Sequence, residues 1–122
     1  MLHFTALERA VLEEICKQAD QREVLERQLA TARLTRRENT GDGFFTYFTV
    51  DRNSPALTSR WRVVGNVAAA IEGFERPLLI ALFMNKEGYA DMLEGTAAGD
   101  STATIDLSTV PFRINPPDGN FR

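Results

Sequence analysis

Residues 77–95 read PLLIALFMNKEGYADMLEG: a run apolar on both faces, a polar turn, and a second half-apolar run closing on Glu94-Gly95. A strand with one wet face alternates apolar and polar residues. Here Leu78, Ile80, Leu82 and Met84 on one side are matched by Leu79, Ala81 and Phe83 on the other, so the pattern asks for cover on both faces. Asn85-Lys86-Glu87-Gly88 has turn chemistry, and residues 89–93 are expected to pair back. This hairpin is the expected centre of the fold.

Before it, residues 61–71 alternate, with Trp61, Val63, Val67, Ala69 and Ile71 on one face and Gly65 as a candidate bulge. Residues 72–76 turn the chain into the central strand. Earlier still, 34–39 and 44–50 flank Thr40-Gly41-Asp42-Gly43, whose glycines permit the positive φ angles of a tight hairpin loop. The second of these strands carries Phe44, Phe48 and Val50 on one face and Phe45 and Tyr47 on the other. Its partner is polar, and Arg33, Arg36, Arg37 and Glu38 mark it as an edge. Residues 51–59, around Asn53-Ser54-Pro55, form a loop. After the central hairpin come a small-residue loop (96–101), a predicted strand (102–107), a short alternating end (Val110, Phe112, Ile114) and a tail (116–122) expected to be mobile.

The N-terminal part has a different period. Thr5-Ala6-Leu7-Glu8 matches a capping box, and Phe4, Leu7, Val11, Ile15 and Ala19 recur at helical spacing beside Leu12 and Cys16, which predicts a helix over 6–18. Asp20 and Glu23 begin a weaker cap pattern before Leu25, Leu29 and Ala32. The spacing also permits one continuous helix, but residues 17–23 offer the apolar face only Ala19, which favours two. The expectation is a single domain over 1–122, helical over 1–31 and β-rich over 32–115. Its class is α+β, with the N-terminal helices packed on one face of a mainly antiparallel, meander-like β-sheet. Two helices cover one face, whereas Phe45, Tyr47, Leu79 and Phe83 leave the other apolar. Sheet curvature, the C-terminal segment or a second subunit would cover it, and a homodimer is the expected partner arrangement.

With 122 residues, 43% of them hydrophobic, the chain can build a core without staples. Lys and Arg number 14 against 17 Asp and Glu, a net charge of −3 that argues against a nucleic-acid partner. One cysteine, Cys16, and one histidine, His3, exclude an intrachain disulfide and a Cys/His zinc site. The start lacks the features of a signal peptide, and the longest apolar run, 78–84, is far short of the roughly 20 residues that span a bilayer. A cytoplasmic protein with no membrane partner is expected.

No segment carries a catalytic signature, and none requires a metal or a cofactor. His3 flanks a helix cap, and Cys16 sits mid-helix on the apolar stripe, where a thiol packs as a small hydrophobe. Gly41-Asp42-Gly43 lacks the remaining residues of a phosphate-binding loop and leads into a strand. Asp91 and Glu94 are three apart on a predicted strand and face opposite ways, against a paired-carboxylate site. Glu94 closes a core hairpin and needs a partner such as an arginine. It is therefore the first candidate ligand-binding residue, with Tyr89 and Arg36. Arg33, Arg36 and Arg37 beside Glu38 read as a solvated edge, and Trp61 as core packing or an interface anchor.

The string Arg37-Glu38-Asn39-Thr40-Gly41-Asp42-Gly43-Phe44-Phe45-Thr46, followed by 79–83, Gly88 and Leu93-Glu94-Gly95, resembles a group of small bacterial proteins that carry an R-E-x-T-G-x-G-F-[FY]-T hairpin and a late L-E-G. The resemblance covers about half of the chain, and its motifs are turns and core positions. It implies no activity, cofactor or catalytic residue. The expectation is a noncatalytic binding or protein-interaction module with an unknown ligand; the alternative is a small enzyme with a carboxylate-based site around Glu94.

Overall fold

The computed structural model describes residues 3–58 and 62–122, so the reading of Trp61 lies outside the described residues. Helix α1 spans Ala6–Gln18 and α2 spans Arg22–Leu29. The capping box forms: Thr5 Oγ1 accepts from Glu8 N at 3.1 Å, and Glu8 Oε1 accepts from Thr5 N at 2.8 Å. The helix stops at Ala19, which is extended, and the chain restarts at Gln21, giving two helices.

Among the described residues six strands follow: β1 Arg33–Asn39, β2 Gly43–Thr49, β3 Val63–Ile71, β4 Leu78–Met84, β5 Ala90–Thr96 and β6 Phe112–Ile114. They form one antiparallel sheet in the order β1-β2-β5-β4-β3-β6. β3, β4 and β5 make the expected meander. The β1–β2 hairpin attaches to its far side, because β2 pairs with β5 and not with the sequentially nearer β3. The register shifts between Val63 and Gly65, where the sequence places its bulge.

Residues 102–107 are not the expected strand. Thr102 is fully buried; its hydroxyl accepts from Gly43 N at 3.0 Å and lies 2.8 Å from Asn39 Oδ1, while Asn39 Nδ2 donates to Thr102 O at 2.8 Å. Asp106 then closes a turn by accepting from Ser108 N and from Val110 N. Local side-chain bonds thus replace a ladder, as Thr and Asp do at turns.

The helices lie on one face of the sheet. Arg37, Thr46, Leu93, Leu82 and Gly65 form a cross-strand row from β1 to β3. Helix α1 follows it: Glu8 bonds Thr46 at one end, and at the other a Cβ on Gly65 would stand 3.2 Å from Ile15 Cγ2. Leu7, Val11, Ile15, Leu25, Phe48, Ile80, Leu82 and Leu93 form the core between helices and sheet, each with at most 2% of its surface exposed.

Two glycines make the junction of β2 and β5 possible. Gly43 has φ +149°, and a Cβ there would stand 1.9 Å from the carbonyl oxygen of Gly95. A Cβ on Gly95 would in turn stand 2.2 Å from the ring of Phe44, which lies across it. The G-F of the hairpin and the terminal glycine of L-E-G are therefore two sides of one contact.

Candidate functional site

Among the described residues four polar side chains are buried, and each is satisfied inside the protein. Glu8 is 3% exposed and accepts from Arg37 Nε at 3.0 Å, Arg37 Nη2 at 2.7 Å and Thr46 Oγ1 at 2.5 Å. Arg37 also donates to the carbonyl of His3. Burial on its own would raise the Glu8 carboxyl, but the bonds from Arg37, Thr46 and the Thr5 amide outweigh it, and the pKa falls below the ordinary 4.5. The same ion pair raises Arg37. Gln28 is fully buried: its Nε2 donates to Pro55 O at 2.8 Å and Gly88 O at 3.0 Å, and its Oε1 accepts from Ala90 N at 3.0 Å. Together with Thr102, these groups fasten helices and loops to the sheet, which is structural work.

Sequence reading treats Glu8 only as a cap and does not single out Gln28. The signal that places them is position. Glu8 shares the helical stripe of Leu12, Ile15 and Cys16, and Gln28 stands three after Leu25, so both must enter the core with partners.

Cys16 is buried, and burial pushes its thiol up to about 11, the opposite of a nucleophile. His3 is exposed beside the cap. Tyr89 lies in the β4–β5 turn with its hydroxyl 2.9 Å from Ser54 O and the Arg52 guanidinium 4.5 Å from its ring centre, so it braces the 51–55 loop. Burial raises the Asp91 carboxyl against the opposing pull of Arg62 and Arg52.

Glu94 and Arg36 share the sheet face away from the helices. One row there runs Glu38, Phe45, Glu94, Ala81 and Asn66; the next runs Arg36, Tyr47, Met92 and Phe83. Strand β2 separates Arg36 from Glu94, which lie two strand spacings and one row apart, about 12 Å. Arg36 sits instead over the Tyr47 ring at 4.6 Å and reaches Glu38 at 3.9 Å, while Tyr47 stacks on Phe45 with ring centres 5.9 Å apart. Glu94 has neither an ion pair nor a side-chain hydrogen bond among the described residues. The structure thus places Glu94 and Arg36 on one surface and Tyr89 elsewhere.

That surface carries much apolar area. Leu79, in the row of Thr96 at one end of β4, is 56% exposed, and Phe45, Tyr47, Ala81, Phe83 and Met92 are half-buried in the two rows beyond it, on either side of Glu94. Neither helix reaches it. A separate cleft of about 240 Å³ lies where the β1–β2 hairpin meets the start of α1 and the 105–108 turns, with Leu7, Phe44, Ile105 and Leu107 as its apolar walls and Arg37 and Asn39 among its polar lining.

Among the described residues no three His, Cys, Asp or Glu side chains stand close enough to hold a metal ion, and no helix is long and apolar enough to cross a membrane. Comparison of the chain with protein-family models, with curated proteins and with solved structures gives no match.

Proposed function

We propose that this chain is a noncatalytic interaction module that acts as a homodimer joined through the sheet face away from the helices. The observation that carries the reading is Leu79, more than half exposed on a face that also presents Phe45, Tyr47, Ala81, Phe83 and Met92, with Glu94 among them. Contiguous apolar surface of this kind marks association in proteins that work in water. The β1 to β3 part of the face spans five strands by about seven residues, on the order of 24 by 23 Å or about 550 Å² in outline, at the low end of interface size.

Arg36 and Glu38 are self-complementary across the face, whereas Glu94 falls against the partner's Met92. A twofold axis lying in the interface and running across the strands, between the two rows, exchanges each row with the other. It sets Arg36 against the partner's Glu38 and Tyr47 against the partner's Phe45. The two sheets would then pack face to face at about 10 Å.

Light scattering at micromolar concentration tests the reading. A mass of about twice 13.7 kDa is expected. Arg36→Glu alone and Glu38→Arg alone should each weaken the dimer, and the double exchange should restore it. A monomer mass at every accessible concentration would overturn the proposal.

A further inference from the structure

Strand β1 ends the sheet, so alternate main-chain groups along it have no strand to pair with. Parity identifies them. Thr40 N donates to Gly43 O at 3.0 Å, so Thr40, Glu38 and Arg36 turn their main-chain groups towards β2, and Arg37 and Asn39 turn theirs outward. The 240 Å³ cleft opens beside these same two residues. An unpaired edge with an apolar pocket at its flank is how sheets capture extended peptides: main-chain bonds attach the strand, and the pocket takes one side chain.

Charge selects the peptide. β1 carries Arg33, Arg36 and Arg37 against Glu38 alone, and the charge of Arg37 is already matched by Glu8. The surplus therefore sits at the Arg33–Arg36 end, while the end beside the cleft is neutral or acidic, with Glu38 and Asp106. A second copy of β1 added antiparallel would bring arginines together along one edge, which is unfavourable. An acidic strand would not.

We infer that β1 binds an extended acidic segment of a partner protein as a seventh strand, with one apolar side chain in the cleft beside Asn39 and its carboxylates beside Arg33 and Arg36. The inference goes beyond the dimer, because the outward main-chain groups of Arg37 and Asn39 take no part in the proposed face-to-face contact, whereas the Arg36 side chain serves both.

The probe is a labelled, end-capped heptapeptide, Leu-Thr-Val-Glu-Val-Asp-Thr, whose apolar end precedes its acidic end as an antiparallel partner of β1 requires, and whose acidic residues alternate with Leu so that they turn to the face of Arg36 while Leu turns to the cleft. Fluorescence anisotropy compares it with a twin carrying Lys at both acidic positions. The acidic peptide should bind in the micromolar range, at least about tenfold tighter than the twin. Arg33→Glu should reverse the preference, and Leu107→Ala should weaken both peptides by a similar factor while the circular dichroism spectrum stays that of the folded protein. N-methylation of one alternate set of peptide amides should cost at least about tenfold and of the other set far less, as expected when only one set faces the edge. No binding at about 1 mM, equal affinity for the two peptides, or equal response to both N-methylated sets would overturn the inference.

Discussion

The two faces of β4 differ more than their sequences do. Leu78, Ile80, Leu82 and Met84 are at most 3% exposed beneath the helices, whereas Leu79, their neighbour and chemical equal, is 56% exposed. β2 repeats the contrast, with Phe44 and Phe48 buried and Phe45 and Tyr47 half-exposed. Apolar character on both sides of a strand therefore records a demand for cover without saying who meets it. On one face the chain meets the demand itself, through α1, α2 and the buried anchors Glu8 and Gln28.

Substitutions on the helix side should accordingly be costly and those on the far side nearly free. Gly43→Val should cost the most, about 3–5 kcal/mol by chemical denaturation, since it combines a positive φ with a collision against the Gly95 backbone. An unchanged denaturation midpoint would mean that β2 does not approach β5 as described. Leu82→Ala, on the buried row, should cost about 3 kcal/mol through lost burial and the cavity left behind.

Glu8→Ala should cost about 2–3 kcal/mol, because it leaves Arg37 and the Thr46 hydroxyl without their acceptor. Glu8 also sets a pH dependence. Its folded pKa lies below the ordinary 4.5, so its contribution is complete above that value and is lost as the pH falls through the folded pKa. Melting curves of the wild type should therefore drop in acid more steeply than those of Glu8→Gln, and parallel acid limbs would remove Glu8 from this role. The smallest effect belongs to the far face. Leu79→Thr should change stability by no more than about 0.5 kcal/mol while weakening self-association. A loss as large as that of Leu82→Ala would mean the far face is covered within the chain.

Much of the architecture was legible in local pattern. The capping box and stripe of α1, the glycine-flanked hairpin loop, the bulge at Gly65 and the 78–84 strand each depend on residues a few positions apart, and all appear where the pattern puts them. The pairing of β2 with β5 was not legible. It joins segments about fifty residues apart in sequence, and the glycines that permit it read as independent turn and strand residues until Phe44 is seen lying across Gly95. Residues 102–107 misled for a related reason: their alternation suits a strand, but Thr102 is claimed by the distant hairpin loop.

Of the candidate site residues, Arg36 and Glu94 meet on one face without touching, and Tyr89 belongs to a loop brace. Sequence alone determined the α+β class, the limits of α1, the basic character of β1 and the excess of apolar surface on the sheet, because these follow from residue type and period. Only the tertiary structure decided the strand order, the burial of Glu8 beneath Arg37 and Thr46, and which side of β4 was left open. Those depend on where two helices rest on a finished sheet, and packing between segments remote in sequence leaves no periodic trace in either one.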